Sequence, residues 1–335
     1  MSLYEISKKS VSNVLSVAAL VSTSICTTNV MAAPTKFTFI TNWYAQAEHG
    51  GYYQALAEGF YKEAGLDMTI RMGGPQVNNL QLLAAGKAQC AIVDDIGVMM
   101  AQKRGIPVKM VATSFQFDPT VVITHSDIDT LEDLKGHTVL IASSSQSSWW
   151  PWAKKKYGFT DAMTRPYTFN IQPFMLDKTV AQQGYMTSEP YAMQEAGADF
   201  KSFLIGKEGY PPYGNSIACR TEVIEQHPEE IKALIYASMQ GWKSYLASPA
   251  KGNELIIKDN PNMTEDRIAY AVNLLNSSGI VTGGDAQTKG IGYISDSRMK
   301  KTWDMAVENN LFSASEVTLS DVYTTEFVDA VRVMP

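Results

Sequence analysis

The chain has 335 residues, of which 45% are hydrophobic and 19% are charged, and its formal net charge is −6. This length suits two modest α/β lobes, and the interspersed charges of both signs exclude a disordered polyelectrolyte. A mildly acidic chain without a basic stripe also argues against a nucleic-acid-binding role.

The first 32 residues have the pattern of a secretory signal peptide. Lys8 and Lys9 precede an uncharged, mostly apolar stretch over 14–25, and residues 30–32 read Val-Met-Ala. Small or aliphatic residues at these last positions predict cleavage after Ala32, and the apolar stretch is shorter than the roughly 20 residues of a membrane span. We expect a periplasmic protein in which removal of 32 of the 335 residues leaves 303.

Strand-like and helix-like segments alternate through the next part of the chain. Strands are predicted over 37–40, 66–72, 90–93 and 108–113, and helices over 51–64, 77–83 and 97–103. Repeated βα units of this kind predict a largely parallel sheet covered by helices.

The pattern changes near residues 115–119, where a second α/β unit begins. Its predicted strands are 121–124, 139–142, 167–171 and 200–205, and its helical segments are 131–134, 147–157 and 177–183. After a turn-rich passage over 211–215, a strand over 216–219 precedes helices over 228–247, 265–277, 299–308 and 325–331. We interpret the middle unit as an insertion, with lobe 1 formed by 33–116 plus 215–335 and lobe 2 by 117–214.

Two cysteines remain after the predicted cleavage, Cys90 and Cys219, and apolar residues flank both. This setting favours buried, unpaired thiols inside strands. A disulfide stays open as an alternative, because spacing alone cannot establish a pair.

Several motifs resemble a known family of transport proteins. They are the run Asn42-Trp43-Tyr44 with His49, residues 60–67, residues 82–89 with Ala91, residues 104–108 and residues 131–136. They are similar to substrate-binding proteins of the thiamine-precursor, sulfonate and nitrate uptake group. The resemblance implies a type II periplasmic-binding-protein fold with two mixed sheets, flanking helices and two crossover strands. It also implies closure of the lobes on a small-molecule ligand and docking on the permease of an ABC transporter.

Ligands of open α/β sheets bind beyond the carboxyl ends of strands, so the candidate site follows each predicted strand. After the first strand, Asn42, Trp43, Tyr44 and His49 offer stacking surfaces and hydrogen bonds. After the second strand, Gly73 begins a Gly-Gly-Pro turn whose free N–H groups suit an anion or a carbonyl, or which only makes the turn.

Carboxylates and further aromatics follow other predicted strands. Of the adjacent Asp94 and Asp95, we expect Asp95 to cap the next helix and Asp94 to contact the ligand. Glu189 and Tyr191 follow a later segment of lobe 2, and Tyr213 lies in the second crossing as an aromatic lid.

The strand that ends at residue 142 is followed by a hydroxyl-rich loop and two tryptophans. Ser143, Ser145 and Ser147 are predicted to form a hydrogen-bonding wall at a helix start. Trp149 and Trp150 are both candidates for the cleft, and at least one of them is expected to face it.

This candidate wall is rich in aromatics and carboxylates and poor in cations, since Arg71, Arg165 and Arg220 lie away from its strongest positions. We therefore expect a planar, amine-bearing heterocycle such as an aminopyrimidine of the thiamine-precursor type. The main alternative is taurine or another aliphatic sulfonate, held by the Ser-rich helix start.

An enzyme related to pyrimidine synthases is a further alternative. The resemblance implies that such enzymes carry a lysine after the third strand and a cysteine cluster. Here Val93 occupies that position and the cluster is absent from the sequence. No HExxH or CxxC spacing occurs either. We expect a monomeric binding protein that needs no cofactor or metal and performs no catalysis.

Overall fold

The computed structural model describes residues 33–335, and the predicted signal peptide over 1–32 lies outside the described residues. The strands are β1 (Thr35–Ile40), β2 (Leu66–Arg71), β3 (Cys90–Val93), β4 (Val108–Phe115), β5 (Thr120–His125), β6 (Thr138–Ile141), β7 (Thr164–Pro166), β8 (Val180–Tyr185), β9 (Phe200–Leu204) and β10 (Gly214–Arg220).

The strands form two five-stranded mixed sheets with equivalent topology. The first sheet has the order β2-β1-β3-β10-β4, and the second has the order β7-β6-β8-β5-β9. In the first sheet β10 runs antiparallel to its neighbours β3 and β4, while in the second β5 runs antiparallel to β8 and β9. In both sheets the remaining neighbours pair in parallel. The predicted pair of mixed sheets is therefore confirmed.

Helices cover both sheets. The first seven are α1 (Gly50–Glu58), α2 (Phe60–Glu63), α3 (Asn79–Ala84), α4 (Asp95–Lys103), α5 (Trp149–Tyr157), α6 (Gln172–Leu176) and α7 (Glu189–Glu195). The others are α8 (Thr221–Gln226), α9 (Pro228–Ala247), α10 (Ala250–Asp259), α11 (Glu265–Ser278), α12 (Ala286–Lys289), α13 (Asp296–Glu308), α14 (Leu319–Val322) and α15 (Glu326–Val331). Among residues 33–335, none of the helices is long and apolar enough to span a bilayer.

Close packing of α1 against α9 holds the loop that precedes α1. A Cβ added to Gly241 of α9 would lie 2.1 Å from the carbonyl oxygen of Gly51, and one added to Gly51 would lie 2.3 Å from the Trp242 ring. Only glycine permits this approach. Trp242 also packs edge-on against Phe115 with ring centroids 5.6 Å apart, so an aromatic core supports the start of α1.

The chain passes between the sheets twice, over 116–119 and over 205–213. Arg298 of α13 holds both segments, because its guanidinium donates to the carbonyl oxygens of Gln116 and, at 3.2 Å, of Pro211. The same guanidinium lies 3.9 Å from the ring centroid of Tyr213. The lobe boundaries at 116/117 and 214/215 stay a prediction.

Cys90 of β3 and Cys219 of β10 are register partners and form a disulfide with Cα atoms 4.0 Å apart. The favoured prediction of two unpaired thiols is therefore wrong. The two cysteines are 129 positions apart in the sequence and meet only because β10 returns to the first sheet from the second.

Two predicted elements of lobe 2 differ from the structure. The helix predicted over 177–183 is wrong, since β8 occupies 180–185, and the strand predicted over 167–171 is instead β7 at 164–166. Gln182 and Gln183 interrupt the apolar run of β8, although both side chains are buried. Because these two polar residues are adjacent, β8 lacks the alternation of apolar and polar residues that identifies a strand from sequence. Helix α10 was not predicted at all.

Candidate functional site

A cleft lies between the two sheets, at the carboxyl ends of β1, β3, β6 and β8. It has about 1220 Å³ of empty space, open solvent included. It is lined by Asn42, Trp43, Gln46, 77–80, 92–94, Gly97, Arg104, Asp118, Thr120, 143–145, 147–149, 183–185, Glu189, Gly214 and Asn215.

The structure brings eight of the fourteen predicted site residues into this cleft. They are Asn42, Trp43, Asp94, Ser143, Ser145, Ser147, Trp149 and Glu189. The six that do not line it are Tyr44, His49, Gly73, Trp150, Tyr191 and Tyr213.

Asn42 follows β1 and lies at the centre of a hydrogen-bond network that joins the two sheets. Its Nδ2 donates to the Tyr185 hydroxyl at 3.2 Å and to Asn215 Oδ1 at 3.3 Å. His49 Nε2 lies 3.0 Å from Asn42 Oδ1, and this acceptor assigns the proton to Nε2. Burial lowers the pKa of His49 to about 3, so the ring is neutral. His49 therefore orients the Asn42 side chain from a buried position and does not line the cleft, contrary to the prediction.

Trp43 reaches from the first sheet to the second. Its ring lies 6.2 Å from that of Tyr167 with planes 17° apart, and 6.1 Å from Phe169 edge-on. Tyr44 packs on Phe169 at 5.8 Å, outside the cleft. Of Trp43 and Tyr44, therefore, Trp43 lines the cleft and Tyr44 does not.

Gly73 serves a tight turn and has no free N–H group. Its N–H donates to the Trp43 carbonyl at 3.1 Å, and an added Cβ would lie 2.4 Å from the Thr41 carbonyl oxygen. The predicted use of this N–H for a ligand is therefore corrected.

The helix cap predicted for Asp95 is formed by Asp94 instead. Asp94 caps α4, since its Oδ1 accepts from the Gly97 N–H at 2.7 Å, and it still lines the cleft. Asp95 is buried behind it and accepts from the Tyr213 N–H and the Ser216 hydroxyl, both at 2.8 Å. The cap therefore leaves Asp94 Oδ2 without a protein partner among residues 33–335.

Asp118 adds a second carboxyl to the same part of the cleft. It lies in the first crossing segment, and its Oδ1 accepts from the Thr120 N–H at 2.7 Å. Burial, together with the negative charges of neighbouring carboxylates, raises the pKa of Asp94 to about 7 and that of Asp118 to about 6. Hydrogen-bond donors on a ligand would stabilise the ionised forms.

The serine-rich segment forms a short 3-10 turn, Ser144–Ser147, before α5. The Ser145 hydroxyl and the Ala142 N–H both donate to Gln183 Oε1 at 2.7 Å. This fixes the amide orientation and leaves Nε2 as the free donor of Gln183. The segment therefore lines the cleft and also orients Gln183 of β8.

Trp149 and Trp150 have different surroundings. Trp149 lines the cleft, and its buried Nε1–H has no hydrogen-bond partner in the described part of the chain. Trp150 is fully buried, stacks on Phe159 with centroids 5.5 Å apart, and donates from Nε1 to Asp161 at 3.1 Å. Trp150 is therefore a core residue, whereas Trp149 lines the cleft and keeps an unpaired donor among residues 33–335.

Glu189 begins α7 beside the cleft and is 4% exposed. Its Oε1 accepts from the Tyr167 hydroxyl at 2.9 Å and its Oε2 from the Tyr185 N–H at 2.7 Å. Burial raises the pKa of Glu189. Each oxygen retains capacity for one more donor.

Tyr191 and Tyr213 lie outside the cleft. Tyr191 is on α7 and packs on Tyr270 of α11, with ring centroids 5.1 Å apart. Tyr213 is fully buried, and its hydroxyl accepts from the Ser295 N–H at 2.9 Å. The predicted aromatic lid at Tyr213 is therefore wrong, since this ring packs beneath Arg298.

Several cleft residues were not predicted as site residues: Gln46, Asn79, Asp118, Gln183, Tyr185 and Asn215. Asn79 donates to the carbonyl oxygens of Thr41 and Ile92, which leaves its buried Oδ1 without a partner among the described residues. Gln183 and Tyr185 were hidden by the incorrect helix at β8. The sequence signal for Asp118 and Asn215 was their position in the two predicted crossings.

The cleft therefore combines an indole surface with polar groups of both kinds. Asp94, Asp118 and Asn79 accept hydrogen bonds, while Trp149 and Gln183 donate them. Such a wall suits a flat, polar molecule that carries N–H groups and ring acceptors.

Solved structures with the same architecture include two binding proteins. The alkanesulfonate-binding protein SsuA from Xanthomonas axonopodis pv. citri superposes with a TM-score of 0.66 at 13% identity, covering 88% of this chain and 100% of that one. The periplasmic nitrate-binding protein NrtA from Synechocystis gives a TM-score of 0.64 at 12% identity, over 90% and 89%. These similarities confirm the predicted two-lobed periplasmic-binding-protein fold.

Relatives in sequence include binding proteins and enzymes. The riboflavin-binding protein RibY of Chloroflexus aurantiacus is 23% identical over 89% of this chain and 88% of its own length. The formylaminopyrimidine-binding protein of Halalkalibacterium halodurans is 30% identical over 29% and 30%. A 4-amino-5-hydroxymethyl-2-methylpyrimidine phosphate synthase of Saccharomyces cerevisiae is 22% identical over 69% and 73%. The family model described as NMT1/THI5 like matches residues 46–252, and the chain therefore belongs to the NMT1/THI5-like family.

Proposed function

We propose that this protein is the extracytoplasmic solute-binding component of an ABC importer and that it captures a small planar nitrogen heterocycle between its lobes. An aminopyrimidine of the thiamine-precursor type is the leading ligand. The observation that carries the proposal is the pair Asp94 and Asp118 beside a tryptophan surface within the cleft. The names of the riboflavin-binding and formylaminopyrimidine-binding relatives support a heterocyclic ligand.

The polar groups of the cleft match the edges of an aminopyrimidine. Its exocyclic amino group donates two hydrogen bonds, for which Asp94 Oδ2 and Asn79 Oδ1 are unpaired acceptors among residues 33–335. Its ring nitrogens accept, for which Trp149 Nε1–H and Gln183 Nε2–H are donors. Pairing buried polar atoms that otherwise lack partners contributes to both affinity and specificity.

Taurine or another aliphatic sulfonate remains the second candidate. It is supported by the shared fold of the alkanesulfonate-binding and nitrate-binding proteins. The acidic groups of the cleft disfavour it, because Asp94 and Asp118 repel an anion and Arg104 is the cation that lines the cleft within the described chain. Anion recognition generally uses arginine or several helix N-termini.

We propose capture without catalysis, although the family includes synthases. Val93, the last residue of β3, occupies the position at which the resemblance implies a catalytic lysine. The remaining two cysteines of the described chain pair with each other. Export by the signal peptide, a periplasmic location, a monomeric state and docking on a membrane permease belong to the same proposal. Intact mass after native secretion tests the export, with 303 residues expected.

The ligand is tested by isothermal titration calorimetry with 4-amino-5-hydroxymethyl-2-methylpyrimidine and with taurine. Saturating pyrimidine at 100 times its dissociation constant should stabilise the protein by about 2.7 kcal/mol in thermal unfolding. Trp43→Ala and Glu189→Gln should weaken binding at least tenfold with the fold intact, while Tyr191→Phe, outside the cleft, serves as the matched control.

Two results would contradict the proposal. Tighter binding of taurine than of the pyrimidine would reverse the order of the ligand candidates. Wild-type affinity in both Trp43→Ala and Glu189→Gln would remove the cleft residues from the binding site.

A further inference from the structure

A second cavity adjoins the cleft, and we call it the side chamber. It has about 680 Å³ of empty space, open solvent included, and lies between α7 and α11. Gln46, Glu48, Phe169, Thr187, Ala192 and Arg267 are among its lining residues. Gln46 and Glu189 line both the cleft and the side chamber, so the two spaces meet at these side chains.

The junction between the two spaces carries an unsatisfied acceptor. Gln46 is 3% exposed, and its buried Oε1 has no hydrogen-bond partner anywhere in 33–335. A buried polar atom without a partner costs about 1–3 kcal/mol, so a donor supplied by a ligand at this point is strongly favoured.

Glu48 adds a second polar group to the inner wall. Its Oε1 accepts from the Thr187 hydroxyl, a contact that joins the loop before α1 to the loop after β8. Burial raises the pKa of Glu48 to about 7, so both protonation states are present near neutral pH. A hydroxyl group can pair with either state, because it donates and accepts.

The rest of the side chamber is largely apolar. Phe169, Met263, Ala192 and Ala271 line it, and Arg267 lies at its edge, 3.4 Å from Glu195. A carbon chain with hydroxyl groups on one side matches this division between apolar and acceptor surfaces. A carboxylate or phosphate does not, because it would approach Glu48 and Glu189.

We propose that the ligand has two parts: a planar heterocycle in the cleft and a hydroxylated extension that passes Gln46 into the side chamber. This inference depends on the proposed function, since it extends the same binding site. It names the ligand class as a nitrogen heterocycle with a short polyhydroxylated substituent.

Titration calorimetry with matched ring compounds tests the inference. The pairs are cytidine against 1-methylcytosine and riboflavin against lumiflavin, in which the sugar or ribityl chain is replaced by methyl. At least one pair should show about tenfold tighter binding of the hydroxylated member, as expected for two or three added hydrogen bonds. Ala192→Phe, which lines the side chamber and not the cleft, should abolish that difference and leave the affinity for the methyl compound unchanged. Gln46→Leu should reduce the same difference. Ala196→Phe, at the exposed residue that directly follows α7, is the control and should retain the difference.

The outcomes separate the two claims. If the methyl compounds bind and the hydroxylated members bind no better, the side chamber is not a ligand site and the proposed function stands. The same conclusion follows if Ala192→Phe retains the full difference. If no member of either pair binds, the side-chamber inference is overturned, and the titration with 4-amino-5-hydroxymethyl-2-methylpyrimidine decides the heterocycle proposal separately.

Discussion

Reduction of the Cys90–Cys219 disulfide should destabilise the protein substantially. The bond closes a loop of 129 positions that contains β4, the whole second sheet and both crossing segments. In the chain-entropy model a loop of this length restricts the unfolded state by about 5 kcal/mol at 25 °C. With an unfolding entropy of about 2.1 cal/mol/K per residue, this corresponds to a decrease in Tm of about 8 °C for residues 33–335.

The assay is urea unfolding of the oxidised and reduced protein, followed by tryptophan fluorescence. Reduction keeps both sulfur atoms in the core, so the comparison isolates the covalent bond from the packing lost in a Cys90→Ala/Cys219→Ala variant. That double variant should show no response to reductant and is the control. Two free thiols in the unreduced, unfolded protein, or a loss below about 1 kcal/mol on reduction, would refute the reasoning.

Two further predictions concern the acidic cleft and the crossings. Because burial raises the pKa of Glu48 and Asp94 to about 7 and of Asp118 to about 6, these groups bind more protons in the folded state than in the unfolded state between about pH 4 and 7. The stability of the ligand-free protein should therefore rise as the pH falls from 7.5 to 5, as measured by differential scanning calorimetry. The double variant Asp94→Asn/Asp118→Asn should show a weaker pH dependence. A Tm of the wild-type protein that falls over the same interval would contradict the prediction. Arg298→Met removes the charge-assisted hydrogen bonds to both crossing segments and the cation over Tyr213. We therefore expect the free energy of unfolding in urea to fall by about 2–4 kcal/mol, with partial recovery in Arg298→Lys. An unchanged unfolding midpoint in Arg298→Met would show that the guanidinium does not hold the crossing segments.

The candidate site was predicted best where a polar residue directly follows a recognisable strand. Asn42 follows β1, which alternates polar and apolar residues towards its end, and Asp94 follows β3, which is a short apolar run; both patterns identify a strand from sequence. Glu189 was selected for its position after a later segment of lobe 2, although the strand before it, β8, was predicted as a helix. Gln183 was lost with that strand, because a polar side chain facing a cleft looks the same in sequence as one facing solvent.

Adjacent residues show a second limit. Trp149 and Trp150 are equivalent in composition, yet successive side chains on a helix point about 100° apart, so one lies against the cleft and the other in the core. Asp94 and Asp95 are likewise indistinguishable by residue type, and the structure shows that Asp94, which precedes α4, forms its N-cap.

Local pattern was sufficient for the two-sheet α/β architecture, the family and the strand ends that carry polar groups. These features follow from periodicity and short motifs, which record burial on one element at a time. The disulfide, the Asn42 network, the use of Asp118 and the side chamber depend on segments that are far apart in the sequence. They are decided only when β10 returns to the first sheet and the loops after β1 and β8 meet, because contacts between the sheets leave no repeating pattern in either segment.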